Sequence, residues 1–231
     1  MDVNKQNVFV TGGTGYLGRP LISELIQRGH EVRALARSGS EAKLPAGCEA
    51  VLGNALDGSS YCKHILPADT FVQLVGVSHP SPSKAAQFRS VDFASATGAV
   101  KAAIEAGVQH FIYLSVAHPA PVMRAYIEVR TMCETMIRES GMNATILRPW
   151  YILGPGHRWP YVLLPMYWLM ELLPPTRSGA RRLGLVTLEQ MKRALVHAVE
   201  NPCRGVRIVE VPEIRCSSGF PVADLGHPVA S

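Results

Sequence analysis

Val8-Phe9-Val10-Thr11-Gly12-Gly13-Thr14-Gly15-Tyr16-Leu17-Gly18 is the stretch that decides the fold. Residues 7–11 form a short apolar run suited to a buried strand, and residues 20–28 place Leu21, Ile22, Leu25 and Ile26 on one helical face. Pro20 is tolerated in the first turn of a helix, where an N–H would have no partner. Between strand and helix stand the glycines. Gly12 permits a tight turn, Gly15 lets backbone approach a bound pyrophosphate, and Gly18 lets the helix pack close to the strand. The helix start offers unpaired N–H groups and the positive end of its dipole to that anion. Three glycines alone are weak evidence; the strand before them and the helix after them give them meaning.

The rest of the chain repeats this rhythm. Strands are predicted at 31–36, 50–52, 70–75, 110–115, 143–147 and 206–211. Helices are predicted at 85–106, ended by Gly107, at 126–140, ended by Gly141, and at 188–200. Thr187 reads as the last helix's N-cap, with Gln190 its capping-box partner. Strands alternating with helices predict an α/β fold, a Rossmann-like doubly wound parallel sheet. The rhythm breaks near residues 149–155, where Pro, Trp, Tyr and Met take over. The expected division is a dinucleotide-binding domain over 1–153 and a small substrate-covering cap over 154–231, whose late helix and strand return to the sheet. Residues 217–231 carry little pattern and are expected to run over the surface.

Composition excludes several classes. The chain has 231 residues, 47% hydrophobic and 18% charged, enough for one domain with a large core. The net charge is +5, without a basic run, so no nucleic-acid partner is expected. The five cysteines are Cys48, Cys62, Cys133, Cys203 and Cys216. Their odd number and lack of C-x-x-C spacing argue against disulfides and zinc. No cluster of His, Cys or acids has metal-ligand spacing. The polar start, Met1 to Gln6, is no signal peptide. The apolar segment 159–173 is broken by Pro160 and Pro165 and holds Glu171, too interrupted to span a membrane. A cytoplasmic protein with a small-molecule substrate is expected.

Thr11-Gly12-x-x-Gly15-x-x-Gly18 resembles the T-G-x-x-G-x-x-G signature of the short-chain dehydrogenase/reductase superfamily, extended and atypical branches, and the resemblance runs along nearly the whole chain. It implies that Thr11, Gly12, Thr14, Gly15, Tyr16, Leu17 and Gly18 hold a nicotinamide dinucleotide. The second strand ends Ala36-Arg37-Ser38 without an acid that would bind a ribose 2′-hydroxyl. Arg37, with Ser38 as second donor, suits a 2′-phosphate, so NADP(H) is expected over NAD(H). Arg33 is a possible assistant. Asn54 and Ala55 stand where the family contacts adenine, with Asn54 replacing its usual Asp; an amide both donates and accepts. Val75 and Gly76 resemble the segment beneath the adenosine ribose. Arg148-Pro149-Trp150 to Gly154-Pro155 resembles the R-P-x-x-x-x-G-P stretch, which implies Pro149 and Trp150 beside the nicotinamide.

The chemical set is Ser115, Tyr126 and Arg130. In the superfamily a Ser after the fifth strand orients the substrate oxygen, the Tyr of Tyr-x-x-x-Lys handles the proton, and the Lys holds the ribose. Positions four apart share a helix face, so Tyr126 and Arg130 can serve one site. Arg130 stands where Lys is expected. It supplies a positive field that favours phenolate but cannot act as a compact ammonium. The other reading makes Tyr126 a packing residue and Arg130 an ion partner. His79, His118, His157 and Arg158 are possible substrate contacts, though lone histidines are more often packing or surface residues. The segment 159–173 reads as an apolar pocket or lid, or a helix buried on the sheet. Arg177, Arg181 and Arg182 form a basic group suited to an anionic substrate or simply to solvent.

Three functions follow. The first is an NADP(H)-dependent oxidoreductase of epimerase/dehydratase type, moving hydride between nicotinamide and a carbonyl or alcohol. The second is a catalytically weak NADP(H)-binding sensor or scaffold of the NmrA-like kind, which the missing Lys favours. The third is a quinone or flavin reductase that needs no catalytic Tyr.

Overall fold

Short apolar segments with alternating faces assemble into one parallel sheet. The computed structural model describes residues 5–78, 80–120, 122–155 and 182–216. Strands β1 (Asn7–Thr11), β2 (Glu31–Ala36), β3 (Glu49–Leu52), β4 (Thr70–Gln73), β5 (His110–Leu114), β6 (Ala144–Arg148) and β9 (Val206–Glu210) form a seven-stranded sheet in the order β3-β2-β1-β4-β5-β6-β9. All of its pairings are parallel. Two three-residue strands, β7 (Tyr151–Leu153) and β8 (Leu185–Thr187), form a separate parallel pair. The sequence pattern does not foresee that pair, because three residues carry no readable period.

Alternation along the strands supplies both faces with core. Phe9, Phe71 and Phe111 sit in register on β1, β4 and β5, all on one face. Their ring centroids lie 5.2 Å and 5.3 Å apart in sequence along the row. Such aromatic pairs contribute about 0.5–1.5 kcal/mol beyond the area they bury. Helices α3 (Ala94–Glu105) and α4 (Arg124–Glu139) cover this face through Ala96, Ala99, Val129, Cys133 and Ile137. On the other face Val8, Val10, Val72 and Ile112 meet α1 (Gly18–Gln27) and α5 (Leu188–Glu200) through Leu21, Ile22, Leu25, Met191 and Leu195.

Several boundaries differ from expectation for local reasons. The first helix begins at Gly18 rather than at Pro20, and α4 begins at Arg124, two residues before Tyr126. The fourth strand stops at Gln73 because the chain turns at Leu74, whose N–H still reaches Thr11 O at 3.2 Å. The predicted long helix over 85–106 is split into α2 (Ala85–Gln87), a π-helical turn Phe88–Phe93, and α3. The last strand ends at Glu210, and a short helix α6 (Val211–Cys216) follows. The capping box forms as expected: Thr187 Oγ1 accepts the Gln190 N–H at 3.1 Å, and Gln190 Oε1 accepts the Thr187 N–H at 2.8 Å. The helix and strand after residue 182 rejoin the main body, with β9 beside β6 and α5 beside α1. Most of the expected cap lies outside the described residues, together with His79, His157, Arg158, Arg177, Arg181, segment 159–173 and residues 217–231. Among the described residues no helix is long and apolar enough to cross a membrane.

His110 opens β5 with its side chain buried and its Nε2 3.0 Å from Thr145 Oγ1 on β6. Burial, with Arg207 adding to it, pushes its pKa down to about 4. The unfolded imidazole titrates near about 6.5, so the unfolded chain binds the extra proton in that window. The stability tied to neutral His110 is therefore fully present above that value and is lost as pH falls toward 4. The loss is about 3 kcal/mol. His110→Gln should remove this slope, read by urea unfolding at pH 7 and pH 4.5 beside the parent. Equal pH slopes for the two proteins would contradict the assignment.

Candidate active site

The turn after β1 is shaped for backbone contact with an anion. Gly12 has φ +76°, which favours glycine, and a Cβ there would lie 3.0 Å from the Leu74 carbonyl carbon. Gly15 N–H closes the turn on Gly12 O at 3.0 Å. A Cβ on Gly18 would collide with the Gly12 carbonyl. Gly15 is exposed, and only Gly12 O approaches its Cβ position. Helix α1 starts without a side-chain cap at Leu17 and without an acid in its first turn. Its positive end therefore has no negative side chain of its own, which fits a phosphate. The donor chemistry of this cradle suits a pyrophosphate.

The side chains around the turn divide the work. Thr11 is buried, and its hydroxyl donates to Gln73 Oε1. Gln73 Nε2 donates to Ser95 Oγ at 3.2 Å, and Ser95 donates to Asp92 O at 3.1 Å. Thr11 thus braces the turn from beneath. Leu17 packs in the core, and the Tyr16 hydroxyl lies against Gly154. Thr14 is half-buried beside Gly15. Arg37 and Ser38 follow β2 fully in the open, and no hydrogen bond or ion pair ties the Arg37 side chain to another described residue. Arg33 departs from its expected assisting role: its guanidinium is bound to Glu49 at 3.0 Å and to the Leu66 carbonyl. Asn54 is exposed and uses Oδ1 to accept the Leu56 N–H at 3.1 Å, which leaves its amide N–H donors for a ligand. Ala55 packs against the core edge beside it. Val75 and Gly76 continue from β4 past Gly12.

Arg130 is not a surface cation. It is 4% exposed, and its guanidinium donates to Asp92 Oδ1 at 2.5 Å, to the Leu114 carbonyl at 2.6 Å and to the Tyr113 hydroxyl at 3.1 Å. Asp92 sits on the π-helical turn and also accepts the Val77 N–H at 3.1 Å. Gly76 passes directly over this pair, and a Cβ there would strike the Arg130 guanidinium. The sequence expectation of a Lys substitute aimed at a ribose is thereby replaced by a clamp joining the ends of β4 and β5 to α4. Tyr126, one turn earlier, is half-buried, with its ring 4.9 Å from Phe88 and 5.1 Å from the Arg130 guanidinium carbon. Burial raises its pKa while Arg130 opposes the rise.

Ser115 also departs from expectation. Its hydroxyl donates to Glu134 Oε1 at 2.6 Å, and the residue is 3% exposed. Glu134 is buried on α4 and binds Arg148 Nε at 2.9 Å and Arg138 at 3.1 Å. His118 Nε2 lies 3.4 Å from the same Glu134 oxygen. Burial alone would raise the Glu134 pKa, but hydrogen bonds from Arg148 and Ser115 hold it below the usual carboxylate value. Beyond the strands, Ser115 N–H reaches Leu147 O at 2.8 Å and Ala117 N–H reaches Pro149 O at 2.9 Å. This extension carries His118, buried Pro149 and half-buried Trp150 past the sheet's C-terminal edge, where open α/β sheets bind ligands.

Asp92 and Glu134 escape the sequence reading. The available signal is an acid on a buried helix face: Asp92 is in step with Phe88, Ser95 and Ala99, and Glu134 with Arg130 and Ile137. Among the described residues no group of His, Cys, Asp or Glu is arranged to hold a metal. Removing one member of the clamp should cost about 3–5 kcal/mol, because the other charge is left buried alone. Arg130→Met should therefore be strongly destabilising, and adding Asp92→Leu should recover part of the loss. Denaturant unfolding of the two single variants and the double variant checks the coupling; strictly additive effects would contradict the clamp.

A family model described as NAD(P)H-binding matches residues 12–162. Ceramide reductase of Caulobacter vibrioides is 27% identical over 210 residues, covering 90% of this chain and 65% of that protein. Photosystem II assembly factor Ycf39 of Cyanophora paradoxa is 27% identical over 150 residues, covering 62% of this chain and 44% of that protein. The chain thus spans less than two thirds of either relative's length. The Bordetella bronchiseptica enzyme WbmH, solved in complex with NAD+, superposes with a TM-score of 0.67 at 21% identity, covering 88% of this chain and 75% of that one. The matched residues hold the whole turn from Gly12 to Gly18 together with Arg37, Asn54, Tyr126 and Trp150, and by this match the chain belongs to the NAD(P)H-binding family.

Proposed function

We propose that the protein is an NADP(H)-dependent oxidoreductase acting on a carbonyl or alcohol of a small, apolar or anionic molecule. The observation that carries this reading is the pairing of two features at one sheet edge. One is an uncapped, glycine-lined helix start; the other is a phenol, Tyr126, held protonated. The backbone of residues 12–18 would hold the pyrophosphate. Arg37 and Ser38 would hold the 2′-phosphate, Asn54 and Ala55 the adenine, and Val75 and Gly76 the adjoining ribose. Pro149 and Trp150 would flank the nicotinamide. The dinucleotide, when bound, supplies or accepts hydride.

The chain's own contribution is a proton and a dry, positioned surface. Tyr126 would give its phenolic proton to the substrate oxygen in the reductive direction, starting from the protonated form that burial favours. Arg130 would act through the Tyr126 ring, with its guanidinium fixed by Asp92. The likeness to ceramide reductase is in keeping with a reductase. A second reading, a dinucleotide-binding scaffold with little chemistry, draws on the buried Arg130 and on the likeness to an assembly factor.

Titration with NADPH and NADH by nicotinamide fluorescence tests the cofactor reading. Arg37→Ala should weaken NADPH binding about 10–100-fold, the scale of a charged hydrogen bond, and leave NADH binding unchanged. Equal losses for both dinucleotides would refute the role of Arg37. Tyr126→Phe should keep NADPH binding and lower carbonyl reduction about 100-fold or more. NADPH binding by the parent protein without turnover of any aldehyde, ketone or quinone would favour the scaffold. Quinone turnover that survives Tyr126→Phe would point to direct hydride transfer.

A further inference from the structure

The hydroxyl of Ser115 is spent on Glu134, so the site needs another group to orient a substrate oxygen. His118 stands three residues further along the same extension. Its Nε2 is buried, makes no hydrogen bond among the described residues and faces Glu134 Oε1 at 3.4 Å, and its side chain keeps 19% of its surface open. Its other ring nitrogen, Nδ1, has no partner among the described residues and is not among the buried, unpaired atoms. One ring edge therefore lies against a carboxylate and the other is open.

The carboxylate it faces is itself held in place. Glu134 is fully buried and is itself fixed by Arg148, Arg138 and Ser115. Arg148 is in turn bound to Glu210 at 3.3 Å. The contact with Glu134 occupies the Nε2 edge and leaves Nδ1 for an outside partner. The position is also suitable: the Ala117–Pro149 hydrogen bond sets His118 next to Trp150 at the sheet's C-terminal edge.

We propose that His118, packed beside Glu134, is the residue that hydrogen-bonds the substrate's reacting oxygen in place of Ser115. This rests on the oxidoreductase reading above and names one of its substrate-binding groups. The neutral ring takes a hydrogen bond from an alcohol through Nδ1, and the protonated ring gives one to a carbonyl. In either case it holds the oxygen for Tyr126.

The test uses the whole chain labelled with 15N-histidine. NADP+ is added first, then 4-nitrobenzaldehyde, acetophenone or menadione as probe. No hydride is available from the oxidised dinucleotide, so binding is read without turnover. The His118 Nδ1 resonance should move when at least one probe is added to the NADP+ complex. With NADPH, His118→Gln and His118→Asn should lower kcat/KM for that probe at least tenfold and leave the NADPH Kd unchanged. If NADP+ binds but no probe moves the His118 signal, or if both His118 variants keep kcat/KM, the proposal is overturned and the oxidoreductase reading stands. Failure of the unmodified protein to bind either dinucleotide would overturn both.

Discussion

A buried guanidinium with a single carboxylate to satisfy it organises the C-terminal edge of the sheet in this molecule. Arg130 is a permanent cation, and its removal from water is tolerable only because Asp92, the Leu114 carbonyl and the Tyr113 hydroxyl surround it. The clamp draws on separate parts of the chain. Asp92 arrives on a π-helical turn, Leu114 and Tyr113 on the end of β5, and Arg130 itself on α4. The Val77 N–H on Asp92 adds the segment after β4. One charge pair thus fixes four pieces of backbone that meet where the nicotinamide end of a dinucleotide would lie. Gly76 follows from the same constraint, since no side chain fits above the pair.

Helix α4 carries a second buried charge group one turn further on. Glu134 gathers Ser115, Arg148, Arg138 and His118. The two groups divide the labour of the site. The Asp92–Arg130 pair holds the cofactor side and sits against Tyr126. The Glu134 group holds the extension of β5 and β6 and faces His118. A lysine in place of Arg130 would be a mobile point charge. A guanidinium is a planar fork, and here its donors go to protein acceptors rather than outward. The phenol next to it accordingly lies in a buried, cation-facing setting in which burial dominates.

Legibility in the sequence tracked the range of the interactions. The β1–turn–α1 unit is local: each glycine's steric need is set by atoms within a few residues or by the next strand, so the motif declares itself. The capping box of Thr187 and Gln190 is equally local, and it forms as the spacing implies. The π-helical turn is not local. Phe88–Phe93 reads as ordinary helix, and its extra residue makes sense only once Asp92 must reach Arg130, 38 positions away. The fate of Ser115 was hidden for the same reason, because its partner lies 19 residues on and across the sheet's face. Residue types at the site were therefore readable, whereas the direction in which Ser115 and Arg130 spend their hydrogen bonds was not.

The central claim is that Arg130 is committed to Asp92 and does not turn Tyr126 into a phenolate at neutral pH. The most direct measurement is the ultraviolet difference titration of the Tyr126 phenol, obtained by subtracting Tyr126→Phe from the parent protein. The account predicts no phenolate band from Tyr126 below the ordinary tyrosine range near about 10. A phenolate signal appearing between pH 6 and pH 8 would contradict it, and would restore to Arg130 the activating role that its burial denies.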